Sequence, residues 1–151
     1  QALLADRPWS HETRRKHCAD FLHAKLMAGD SAELVYEGAH GVWELAVRKD
    51  RHHELDKGVL TALVRGLEAA VDPLCDYPAV EAACGALWAL AVSSRQRHRV
   101  VHEGAVEASL AAMAAGLSAN AKGLQRVRVQ RNAHGALAVM AVDAQARRHL
   151  F

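Results

Sequence analysis

The stretch Glu81-Ala82-Ala83-Cys84-Gly85-Ala86-Leu87-Trp88-Ala89-Leu90-Ala91-Val92 decides the fold, because the chain repeats it. Upstream stands Glu37-Gly38-Ala39-His40-Gly41-Val42-Trp43-Glu44-Leu45-Ala46-Val47. Downstream stands Arg131-Asn132-Ala133-His134-Gly135-Ala136-Leu137-Ala138-Val139-Met140-Ala141-Val142. Trp43 to Trp88 is a step of 45, and Gly85 to Gly135 a step of 50. A second, unrelated signature falls between these copies. Leu55-Asp56-Lys57-Gly58-Val59-Leu60 matches Val101-His102-Glu103-Gly104-Ala105-Val106, and Gly58 to Gly104 is a step of 46. Two markers that alternate and share one spacing point to stacked units, in which each unit buries an apolar face against the next.

Working outward from these anchors, the spacing of apolar residues is helical throughout, and no stretch alternates as a strand would. Ser10, a plausible cap, opens a helix to Met27 with Cys18, Phe21, Leu22 and Leu26 on its apolar face. Asp30 or Ser31 caps a helix to Val47. A short helix over 51–57 is expected to stop at Gly58 in a left-handed turn, and a long helix follows from Val59 to Val71. Pro78 sits in the first turn of a helix to Val92. Next come a short helix ending at Glu103, a helix over 105–115, and a helix from Gln125 to Val142. The loops 72–78 and 117–124 occupy equivalent points. Gly41, Gly85 and Gly135 lie inside helices, where glycine costs about 1 kcal/mol. Their recurrence predicts close helix packing that offsets the cost.

This order resembles the armadillo repeat family, through Cys84-Gly85-Ala86-Leu87-Trp88-Ala89-Leu90-Ala91-Val92 and Val101-His102-Glu103-Gly104-Ala105-Val106. The resemblance covers about residues 31 to 151. It implies an all-α, right-handed α-solenoid of about two and a half to three repeats. The whole chain, 1–151, would be one solenoid segment with units at 10–50, 51–94 and 95–142, a further unit beginning at 143–151, and more of a longer protein beyond. HEAT repeats are the nearest competitor, but they usually lack the short helix ending in Gly-Ala.

The resemblance also implies a partner groove lined by the third helix of each unit. In the family, a Trp followed one turn later by an Asn grips an extended peptide. Here the Trp rungs are Trp43, Trp88 and the substituted Ala138, and the Asn positions hold Val47, Val92 and Val142. Apolar surface has replaced the amides, which argues against the basic nuclear-localisation peptides that some members bind. Helical spacing adds Tyr36, His40, Glu81, Cys84, Arg131 and His134 to the same face. A partly apolar groove with polar edges suits another protein, a peptide or an amphipathic helix, besides the neighbouring repeats of the same chain. The expected function is therefore a non-catalytic scaffold or adaptor. The alternative is a structural subunit embedded in a cytoskeletal assembly such as a ciliary axoneme.

Composition narrows the field. Hydrophobic residues make up 51% and aromatics 5%, so the apolar mass is Ala, Val and Leu, which suits close helix packing. A net charge of +2 is too balanced to indicate a nucleic-acid surface. The basic clusters Arg14-Arg15-Lys16, 95–99 and Arg126, Arg128, Arg131 are interspersed with acids and lack stacking aromatics. No apolar run is long enough for a membrane span. Three cysteines without a CxxC pair fit a reducing, intracellular and cytoplasmic setting, extending to cytoskeleton or cilium under the alternative. His98 and His102 stand one turn apart and His52-His53-Glu54 precedes them by one repeat, yet no ligand set for zinc emerges and no metal or cofactor is expected. No phosphate loop, nucleophile elbow or framed carboxylate pair points to an enzyme.

Overall fold

A computed structural model of the chain describes residues 22–26, 31–118, 121–143 and 148. Among these residues the secondary structure is entirely helical. A helical segment at 22–26 precedes α1 (Ala32–Ala46), a 3-10 helix (Lys49–Glu54), α2 (Lys57–Val71), α3 (Tyr77–Ala91), α4 (Ser94–His102), α5 (Ala105–Gly116) and α6 (Gly123–Met140).

Side chains that satisfy otherwise orphaned backbone donors set three of the helix starts. Ser31 Oγ accepts from the Leu34 N–H at 3.4 Å, and Asp56 and Asp76 each accept from the N–H three residues on at 2.9 Å. Such caps contribute about 1 kcal/mol each. Pro78 falls in the first turn of α3, where its missing N–H leaves nothing unpaired. Gly104 precedes α5 with φ of 98°, a left-handed conformation that glycine adopts without a Cβ penalty.

The helices form two layers. In one, α1 packs on α3 and α3 on α6; in the other, α2 packs on α5. The core lies between the layers, where Leu60, Leu63, Leu67, Leu87 and Leu90 are fully buried. Each such side chain contributes about 1.5–3 kcal/mol. Two seams hold the first layer. The Trp43 ring of α1 lies where a Cβ on Gly85 of α3 would be, and the Trp88 ring of α3 does the same at Gly135 of α6. Gly41 is likewise filled by the Leu22 side chain. The recurring glycines thus mark where a bulky side chain from the preceding element presses onto a helix backbone.

Polar side chains add further ties between elements. Arg99 donates to the Leu55 carbonyl at 3.2 Å, Asn132 to the Glu81 carbonyl at 3.0 Å, and Gln130 to the Met113 carbonyl at 2.7 Å. The Tyr77 and Ser118 hydroxyls meet at 2.7 Å.

Two expectations need correction. Gly58 does not end a short helix in a left-handed turn. It lies in the first turn of α2, which starts at Lys57 under the Asp56 cap. The preceding short element is a 3-10 helix that stops at Glu54, before the signature rather than within it. The Asp56 carboxylate, a strong N-cap, outcompetes the glycine stop. The expected helix over 10–27 falls outside the described residues except at 22–26, as does Arg14-Arg15-Lys16. The unit expected at 143–151 falls outside them except at Asp143 and Arg148.

Candidate protein-binding surface

The outer faces of α1, α3 and α6 follow from helical period, since their inner residues are committed to the core. On α1, Val35, Ala39, Val42 and Ala46 are buried, so Tyr36, His40 and Glu44 face outward. Tyr36, His40 and Trp43 form a column, with ring centroids 5.8 Å and 6.1 Å apart and tilted planes. His40 Nδ1 stands 3.6 Å from the Glu44 carboxylate one turn on. Lys25 pairs with Glu37 at 2.6 Å beside this column. An open depression of about 420 Å³ is lined by Lys25, Tyr36, Glu37, His40, Gly41 and Glu44.

On α3 the expected site residues divide. Glu81 is half-buried, its carboxylate 3.9 Å from Arg128 of α6. Cys84 belongs elsewhere: it has no exposure, and burial pushes its thiol up to about 12. It is a core residue and offers nothing to a partner. Trp88, like Trp43, is half-buried and packed against the core. Each indole presses onto a glycine of the next helix, so its first role is stacking, with part of it left at the surface.

On α6, Arg131, His134 and Ala138 are exposed. His134 Nδ1 lies 2.7 Å from the Gln130 carbonyl, so that nitrogen carries the proton and donates.

The helix ends carry the most regular feature. Val47 and Val92 are the C-cap residues of α1 and α3, and Val142 follows the C-cap of α6 by one residue. These valines are 64%, 61% and 57% exposed. Two residues earlier on each helix, Leu45, Leu90 and Met140 are buried. Between Val47 and Val92 lies a mainly apolar cleft of about 240 Å³, walled by Ala46, Ala89, His52 and Ser93. The structure therefore brings Val47 and Val92 to one cleft, and Tyr36, His40 and Trp43 to one column. It joins Glu81 to α6 through Arg128, and removes Cys84.

Glu37 and Glu44 were missed as surface residues, although their spacing of three and four from His40 would have found them; Arg128, already placed in a basic cluster, stands three residues before Arg131. His98 and His102 border a separate cavity of about 270 Å³ with Lys57, Arg99 and Glu103, and His98 lies 3.3 Å from Asp143. Among the described residues no three His, Cys, Asp or Glu side chains converge as metal ligands would, and no helix is long and apolar enough to cross a membrane. The sequence matches no protein-family model and no curated protein.

Proposed function

We propose that the chain is a segment of an armadillo-like, right-handed α-solenoid that holds a partner protein along α1, α3 and α6 and performs no chemistry of its own. The observation that carries this reading is the row Val47, Val92 and Val142, each more than half exposed beside a buried neighbour. Burying a valine is worth about 1.5–3 kcal/mol, so a partner covering this row gains from each rung. The recurring helix order and the two Trp–Gly seams support the solenoid: each seam repeats the last, as stacked units do. Free thiols at Cys75 and Cys84 fit a reducing cytoplasm.

The test is a photo-cross-linking residue placed at Val92, with Glu68 on the outer side of α2 as control, in the native cell. One protein captured at Val92 and not at Glu68 supports the groove. Equal capture at both positions argues against it.

A second reading is a subunit built into a larger, cytoskeletal or ciliary, assembly. Leu110, Leu117, Leu124 and Val127 favour it, because they are exposed on α5 and around the start of α6, off the valine row. One step of 46 earlier, the counterpart of Leu110 is Val64, which is fully buried. A cross-linker at Leu117 that captures filament proteins, while Val92 captures none, would favour this reading.

A further inference from the structure

Charge is sorted along the three helices that carry the proposed groove. α1 contains three glutamates, Glu33, Glu37 and Glu44, and no Lys or Arg. α3 contains one, Glu81, and no Lys or Arg. α6 contains three arginines, Arg126, Arg128 and Arg131, and no Asp or Glu. These side chains are exposed except for Glu81, which is half-buried and meets Arg128 at 3.9 Å. Local pairing takes up part of the charge: Lys25 holds Glu37, and Arg126 donates to the Leu117 carbonyl. Among the described residues Glu44 forms an ion pair with His40 alone, and no carboxylate comes within ion-pair range of Arg131. The groove runs from acidic at α1 to basic at α6, and the apolar cleft of Val47 and Val92 opens at the acidic side.

From this order we infer that the partner is an amphipathic helix with acidic residues at one end and basic residues at the other. Its acidic end lies over α6 and its basic end over α1. The inference rests on the groove reading above and deepens it by fixing the chemistry of the occupant and the placing of its two ends. Carboxylates at the acidic end meet Arg128 and Arg131. Ammonium or guanidinium groups at the basic end meet Glu37, Glu44 and the face of the Tyr36 ring, which attracts cations. Neighbouring helix axes stand about 9 Å apart, so α1 to α6 spans about 18 Å. An oblique crossing of about 20 Å needs about 13 residues at 1.5 Å rise. An apolar residue in the partner's basic half then falls at the Val47–Val92 cleft.

The test compares two fluorescent 14-residue helical peptides of identical composition and apolar stripe. One places Glu in its first turn and Lys in its last, and the other intersperses Glu and Lys along its polar face. Fluorescence anisotropy against the full chain at low salt is expected to give a Kd at least 10-fold lower for the first peptide. That preference should shrink at high salt, where exposed charges are screened. A chain carrying Glu37→Gln, Glu44→Gln, Arg128→Gln and Arg131→Gln, with its helix content checked by circular dichroism, should lose that preference. Equal affinity for both peptides would overturn the charge-order inference and leave the apolar groove standing. Absence of binding by either would overturn the groove reading itself.

Discussion

Trp43 and Val47 sit one turn apart on α1, as Trp88 and Val92 do on α3, yet they meet different fates. The indoles press onto Gly85 and Gly135 and join the packing of the next helix. The valines, at the helix ends, stay more than half exposed. The glycine opposite makes the difference. A helix presenting backbone to its neighbour lets a large ring in, and among the described residues no glycine is packed in this way against the valines. A bulky side chain on the outer face is therefore not by itself an anchor for a partner. What matters is whether the next helix has already taken it.

The comparison can be broken from its larger side. Trp88→Ala empties the ring's place against Gly135 and is expected to cost about 3 kcal/mol, read as a lower urea midpoint. Gly135→Ala attacks the same seam from the other side. Its methyl would lie 2.5 Å from ring carbons of Trp88, so overpacking is expected to cost about 2 kcal/mol. In the double variant the methyl enters space the ring has vacated, so the combined loss should fall well below the sum of the two. A strictly additive result would mean that ring and glycine do not meet.

Cys84 sharpens the contrast between core and surface. Its thiol is neutral when folded, held up at about 12 by burial, against 9.0 for an ordinary cysteine. A raised folded value means the contribution is complete below about 9 and is lost as pH rises toward 12. Unfolding monitored between pH 8 and pH 10 should show a loss of roughly 1 kcal/mol that Cys84→Ala lacks. Site-resolved alkylation of the native chain should modify exposed Cys75 promptly and Cys84 only on opening.

Much of the architecture was legible in the sequence because repetition is a strong signal. The alternation of the Trp-bearing and Gly-Ala segments predicted where α1, α3 and α6 lie, to within two residues at most of their ends. The helical glycines were correctly taken as signs of close packing, although which ring filled each one depended on three-dimensional stacking. Gly58 misled because one glycine serves equally at a helix stop and inside a first turn, and the Asp56 cap decided between them. Cys84 misled because its place was assigned by alignment with the outer face. A helix packed on both flanks, as α3 is, has too narrow an outer strip for that position. The charge gradient across the three helices was present in the sequence. It becomes meaningful only once α1, α3 and α6 are known to lie side by side.

The smallest expected effect on stability belongs to the valine row, and there the central claim is most exposed. Val92→Gln, measured together for thermal midpoint and for affinity toward the protein captured at that position, separates surface from core. The account predicts a stability change within about 0.5 kcal/mol, as for other surface substitutions, alongside a loss of affinity of 10-fold or more. A lowered midpoint, or unchanged affinity, would contradict it.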